Sequence, residues 1–494
     1  MTTTQQHLQH LYWRAGFGPL PEEVTKTGSI RKAVHALFRA SDKVEPLDSP
    51  AMHFAEAKAT MAASAPVPTM DSQVAGMRTT PEASLMRRGL TPEQRKLDNE
   101  QRRDAFYAMN VGWLDRMATS PAQLREKMTF FWHGHFACRV RQPEAALQLN
   151  NTIRRLALGK FGDLLLAVSQ EPAMLQFLNN QQNRKQHPNE NFAREVMELF
   201  TIGRGHYTEQ DVKEAARAFT GWSADENHQF VFRARQHDDG PKTFMGRTGN
   251  WGGEDVLKTL LEQSQTAEFI TTKLYRFFVN DVPNPAHILP LAKSFYQSQY
   301  DISLLLERLF TAEWFYDAAN MGNRIKSPIE LLAGIKRTFG LQLDDNKLFV
   351  TFEKALGQTL FEPPNVAGWP GGRSWIDSSS LAIRLQLPQV LFRNAEFRIA
   401  LKEDENDIAP TVPRAERTFR QPVKAHVRLA PLTQLLAGTA PAEQPAKLSA
   451  FLLQTPIRPE NLVLIQRQAD RAPADDRLRA VITSLLALPE YQLM

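Results

Sequence analysis

Apolar residues recur at helical spacing over most of this chain. From near Arg102 to about Phe397 they fall at i, i+3, i+4 and i+7 with short interruptions, the pattern of amphipathic helices packed on one another. A shorter helical start, Gln5 to Trp13 and then Ser29 to Arg39, brackets the turn-like segment Ala15-Gly16-Phe17-Gly18-Pro19. From Ser41 to Asn99 the pattern fades. Ala, Met, Ser, Thr and Pro dominate there without spaced large apolar residues, so the segment reads as a partly disordered insertion. A second polar stretch, Lys402 to Gln421, precedes a last helical run. The expectation is an all-α protein: a multi-helical single body from residues 1–40 and 100–397, an insertion at 41–99, a polar linker at 398–421 and a helical C-terminal tail at 422–494.

Two helix starts are legible in the capping residues. Ser120-Pro121-Ala122-Gln123 predicts an N-cap serine, proline at the first helical position and glutamine at the third. Thr208-Glu209-Gln210-Asp211 repeats the arrangement with a shorter carboxylate, and Tyr207 and Val212 fall at staple positions. One stretch departs from helical spacing. Gln229 to Gln236 sets Phe230, Phe232 and Ala234 against Val231, Arg233 and Arg235, and Asp238-Asp239-Gly240-Pro241 turns the chain into Lys242-Thr243-Phe244-Met245. This predicts a small β-hairpin with the aspartates at its tip.

Composition narrows the class. Of 494 residues 42% are hydrophobic and 23% charged, enough for a substantial core. Lys and Arg number 59 against 54 Asp and Glu, with no run of five like charges, so a mixed solvated surface is expected and nucleic acid is disfavoured as a partner. Cys138 stands alone, which excludes an intrachain disulfide and a cysteine-built zinc cluster. No stretch approaches the ~18 consecutive apolar residues of a membrane helix, so no membrane insertion is expected. Met1 to Leu11 lacks a basic n-region and an apolar h-region, and the expected location is the cytoplasm.

Four segments could carry chemistry. In Leu124 to Ala137 (LREKMTFFWHGHFA), Leu124, Met128, Phe131 and His135 share a buried stripe, while His133 lies about 160° away around the helix. Only a break at Gly134 would let the two histidines share a metal; otherwise His135 is a core histidine bonded to a neighbour. After His187-Pro188-Asn189-Glu190-Asn191, the helix expected at Phe192 to Ile202 has Phe192, Val196 and Leu199 on its buried face, with Glu195 inside the apolar arc and Glu198 at its border. A carboxylate so placed must be paired, metal-bound or protonated, and Arg194, Arg154 and Arg217 are the arginines open to pairing with it. In His237-Asp238-Asp239-Gly240-Pro241-Lys242 the turn explains the aspartates and glycine but not His237 or Lys242. Pro363 to Trp375 combines paired prolines, three glycines, Trp369, Arg373 and Trp375, either a binding loop for a ring or an anion or a packed connector. HExxH, GxSxG and CxxC are absent.

These segments resemble a large bacterial family of unknown function, number eighteen-hundred among such domains. The resemblance is carried by HLYWRAGFG from His10, LREKMTFFWHGHFA, HPNENFAREVMELFTIG with YTEQDVKEAARAFTGW, HDDGPKTFMGRTGNWGGEDVL, IKSPIELLAGI, FEPPNVAGWPGGRSWI and the closing LLALPEYQ, in that order. Residues 41–99 match poorly. The family has no established activity, many relatives look exported, and their genes often sit beside another uncharacterised family.

The leading expectation is an enzyme, a metal-assisted hydrolase. Glu195 would be its buried base, with His237, Asp238 and Lys242 as further catalytic groups. His133, His135 and Glu198 would hold a divalent metal, and Trp369 and Arg373 would bind a cofactor. The rival is a non-catalytic helical scaffold that presents the Trp369–Trp375 loop to a partner protein. An enzyme needs those side chains on one cleft, whereas a scaffold leaves each satisfied locally.

Overall fold

The computed structural model describes residues 2–26, 28–48, 91–225, 227–400 and 418–494. Two helices with no exposed face organise it. Every residue of Gln123–His135 up to His133 is buried, and so is every residue of Pro328–Phe339. A helix with apolar residues all round belongs in the middle of a protein rather than on its surface.

On one side of Gln123–His135, Leu124, Met128, Phe131 and Trp132 enter a core shared with Thr3–Ala15, Ile30–Ala40, Pro143–Leu156, Phe161–Gln170, Ser264–Phe278 and Ile302–Thr311. On the other side Phe130 joins a second core built by Pro92–Thr119, Pro328–Phe339, Lys347–Leu356 and Ser378–Arg393. The helices beyond residue 422 pack into this second core. Leu432, Leu448, Phe451, Leu485 and Tyr491 lie in the same apolar cluster as Trp113 and Phe349.

Several boundaries differ from the sequence reading, each for a local reason. Of the expected insertion, residues 49–90 lie outside the described residues, but residues 92–99 are the first turns of the Pro92–Thr119 helix. Thr91 caps it through the Gln94 N–H and Gln94 reciprocates, with Pro92 at the first position. Ser120, in contrast, caps nothing helical. Its Oγ accepts from the Ala122 N–H at 3.1 Å, and the next helix starts at Gln123 without a side-chain cap.

The expected hairpin becomes two. Phe230–Phe232 pairs backwards with Trp222–Ala224, and Lys242–Phe244 pairs forwards with Arg247–Gly249. The Asp238–Pro241 turn therefore joins two hairpins instead of closing one. The closing turn is Met245-Gly246, with φ of 50° and 75°, the two positive values that a tight hairpin turn asks for. Around the polar linker Glu396–Ala400 pairs antiparallel with Thr418–Pro422, and residues 401–417 lie outside the described residues. The molecule is thus mostly helical with small two-stranded sheets.

Candidate functional site

The two histidines of the HxH segment point into different cores. His133 accepts the Phe361 N–H at Nε2, 3.1 Å away, and packs its ring between Trp113, Phe361 and Trp369. Burial, helped by the charge of Arg154, pulls its pKa down to about 3, so the ring is neutral. His135 lies among Trp132, Phe136 and Phe200. Burial first and Lys273 second hold it well below the ordinary histidine range.

What His135 does follows from the backbone opposite. The helix Asn191–Glu195 continues as a π-helix, Val196–Thr201, a geometry that leaves carbonyl groups out of the α-helical ladder. The Leu199 carbonyl accepts from Lys273 Nζ at 3.1 Å, and the Phe200 carbonyl lies 3.3 Å from His135 Nε2. Lys273 also donates to His135 Nδ1 at 3.1 Å. The imidazole therefore carries its proton on Nε2 and both nitrogens are satisfied. Burial brings Lys273 down to about 8.

Glu195 sits half-buried at the start of the π turn with no hydrogen-bond partner among the described residues. Burial, and then the charge of Glu198, raises its carboxyl above the usual range. The arginines considered as its partners are engaged elsewhere: Arg194 with Glu190 and Glu209, Arg154 with Glu126, Arg217 with Glu214 and Asp238. Glu198 is held by Arg204 and by the Tyr207 hydroxyl at 2.7 Å. Against the effect of burial, those two bonds keep it ionised, below the ordinary glutamate value.

The HDDGPK segment is locally closed. His237 Nδ1 donates to the Thr220 carbonyl at 2.9 Å. Asp238 receives the Arg217 guanidinium on both oxygens, at 2.7 and 3.2 Å, and that bond keeps its carboxyl low. Lys242, 1% exposed, donates to the carbonyls of Asp238 and Gly240 at 2.5 and 3.0 Å. Among the described residues no group of three or more His, Cys, Asp or Glu side chains could hold a metal ion.

The Pro363–Trp375 loop folds back onto the end of the HxH helix. Gly368, at φ +82°, comes so close that a Cβ there would lie 2.4 Å from the Gly134 carbonyl. Trp369 stacks at a tilt on His133, Trp375 is buried and Arg373 is exposed. Gly368→Ala is expected to cost about 2–3 kcal/mol, from the strained dihedral and the collision together, measured as a lowered urea midpoint.

Beside this loop opens a cleft of about 580 Å³. Phe361 and Glu362 form one wall, the Pro92–Thr119 helix supplies Arg95, Asp98, Asn99, Arg102 and Phe106, and Arg139, Val140 and Arg141 close it. Asp98 engages Arg102 at 3.1 Å, yet Arg102 Nη1 is buried without a hydrogen-bond partner among the described residues. Sequence reasoning missed this site because Arg95 comes from a segment read as partly disordered, Arg102 from the first residues of the helical run after it, and Arg139 and Arg141 from a short turn. The RxR spacing of Arg139 and Arg141 beside the HxH helix was the available signal.

Two buried charge clusters were also missed. Glu126, 1% exposed, binds Arg154 and Arg116, each at 3.1 Å, and accepts from Trp113 Nε1 at 3.0 Å. Glu330 binds Lys127 Nζ at 2.5 Å and caps the Ser327 N–H at 2.9 Å. Burial raises the Glu330 carboxyl, but Lys127 and Arg324 outweigh it and bring it to about 2. Lys127 itself is lowered by burial to about 8.

Fold and site together define a mostly helical protein with small β-hairpins, a heavily charged interior and an arginine-lined cleft. The chain belongs to the family described as protein of unknown function (DUF1800), which it matches over residues 10–493. Among curated proteins and among solved structures nothing matches it. No helix of the described residues is long and apolar enough to cross a membrane.

Proposed function

We propose that this protein is a binding protein whose ligand is a compact organic anion, a phosphorylated or multiply carboxylated small molecule, taken up in the arginine-lined cleft. The observation that supports it is unspent positive charge. The exposed side chains of Arg95, Arg139 and Arg141 make neither hydrogen bond nor ion pair among the described residues, and each lines the same cleft as Arg102. A volume of about 580 Å³ suits a small molecule, and Phe106, Val140 and Phe361 offer it an apolar floor. Guanidinium groups recognise carboxylates and phosphates through paired N–H donors.

The metal-assisted hydrolase remains the second reading, and Glu195 is the residue that favours it: a half-buried carboxyl without a partner among the described residues. It asks for His133 or His135, Glu195 and His237 on one cleft. His133, His135 and His237 each bond to separate local partners and leave Glu195 alone, which is why binding is preferred.

Calorimetric titration of the full chain with pyrophosphate and with citrate tests the proposal. One of the two probes is expected to saturate, and the Arg139→Ala/Arg141→Ala double variant to bind at least about tenfold more weakly, since a charged hydrogen bond is worth roughly 1.5–3 kcal/mol. Saturation by neither probe, or equal affinity in the double variant, would overturn it. Stoichiometric metal in the purified protein, lost in Glu195→Gln, would move the choice to the hydrolase.

A further inference from the structure

Glu353 is fully buried, and hydrogen bonds rather than an ion pair are what oppose the cost of its burial. Its Oε2 accepts from Asn110 Nδ2 at 2.6 Å and from the Leu360 N–H at 3.1 Å. Glu353 Oε1 and Asn110 Oδ1 are both buried with no hydrogen-bond partner among the described residues. An ionised carboxylate only accepts, so it leaves both of these oxygens without a donor. A proton on Oε1 makes that atom a donor, next to the amide that already bonds the other carboxyl oxygen. The neutral acid is the form this arrangement accommodates.

The same carboxyl holds one wall of the arginine-lined cleft. Leu360 leads into Phe361 and Glu362, which line the cleft, and the Phe361 N–H is bonded in turn to His133 Nε2. Phe361 stands at φ 66°, a left-handed conformation uncommon for an aromatic residue, so its place rests on these bonds. Asn110 lies one turn beyond Phe106, another lining residue, on Pro92–Thr119. The charges that reach Glu353 are the exposed Lys354 on its own helix and Glu362 on the wall, and Glu362 opposes its ionisation. Nearby, His133 is neutral, Lys336 and Lys347 are engaged by Asp115 and Asp104, and Arg384 donates to Gln492.

We infer that the cleft takes up its anion together with a proton, which Glu353 carries behind the cleft wall. The inference rests on the anion-binding reading of the cleft. A bound anion and an ionised Glu353 would repel each other across a wall that water does not screen, and the neutral acid removes that repulsion. Affinity is therefore full while Glu353 is protonated and declines as pH rises through its value, which burial lifts to about 8.

Calorimetric titration of the full chain with pyrophosphate and with citrate at pH 7, 8 and 9 tests this. Neither probe loses negative charge as pH rises, so the probe itself could only tighten binding. A difference of about tenfold between the two forms of Glu353 gives about fivefold weaker binding at pH 9 than at pH 7, with uptake of roughly 0.4 proton at pH 8. The uptake is read by repeating the titration in buffers of different ionisation heat. Glu353→Gln should lose both the fall and the uptake, because its amide places an N–H where the acid carries its proton and never ionises. Lys127 and Lys273 titrate in the same range but are present in both chains, so the difference between native and variant decides. Equal pH dependence in the two chains, or a native affinity that does not fall, overturns the inference and leaves the anion site standing. A Glu353→Gln chain that fails to fold overturns it as well, since the amide reproduces the protonated acid. Saturation by neither probe removes the anion site and the inference with it.

Discussion

Glu330→Gln is expected to destabilise the protein by about 3–5 kcal/mol, read as a lower urea midpoint. The glutamine side chain still offers an oxygen to the Ser327 N–H, so the helix cap survives. What disappears is the buried carboxylate that meets Lys127 Nζ at 2.5 Å, with Lys326 and Arg324 close behind. A buried pair adds little when it is compared with a well-packed apolar pair, but removing one partner strands the other. The double variant Lys127→Met/Glu330→Leu therefore recovers most of the loss. A single variant as stable as the parent would mean that solvent reaches this cluster.

Acid is expected to weaken the fold sharply below pH 6.5. His10, His133 and His135 are buried and neutral, the first two by desolvation and repulsion from Arg14 and Arg154, His135 by desolvation and Lys273. Their folded values lie below 6.5, so the unfolded chain takes up protons first as pH falls, and stability present above 6.5 is lost beneath it. Glu353 works in the opposite sense. Burial raises it to about 8 against its bonds from Asn110 and Leu360, so acid relieves a cost that it imposes between pH 4.5 and 8. The balance is two more protons on the unfolded chain, about 3–4 kcal/mol between pH 6.5 and 5. Glu171 and Glu195, also raised by burial, trim the loss nearest pH 5. Urea midpoints at pH 7 and 5 measure the effect, and His133→Phe should flatten it. A midpoint independent of pH would contradict the neutral burial of these rings.

The helical architecture was legible because apolar spacing reports burial on one face, and most helices here are buried on one face. The central helix defeated that reading. Arg125, Glu126 and Lys127 look like a solvated face in sequence, yet all three are buried, because their partners Arg154, Arg155 and Glu330 come from 28 to 203 residues away. Only the apolar residues on every side of them, Leu124, Met128, Phe130 and Trp132, hinted at a core position.

At Glu195 the helical wheel was drawn at a constant 100° per residue, and the π turn from Val196 breaks that constancy. The direction of Glu198 and the freed carbonyls could not be read from spacing. The paired aspartates of HDDG marked a turn correctly, but strand alternation alone does not say which neighbour a strand chooses. Met245-Gly246 held that answer, in a dipeptide with no strong turn signature.

The stack of Trp13, Lys326 and Tyr491 ties the first helix to the last turn. During synthesis Trp13 leaves the ribosome long before Tyr491 exists, and neither ring can close on the lysine until the distal segment has emerged. The Trp13 face of the N-terminal helix stays open until then, while its Leu8 and Leu11 side already packs on Ile30–Ala40, so closing that face is a late, chain-length-dependent event.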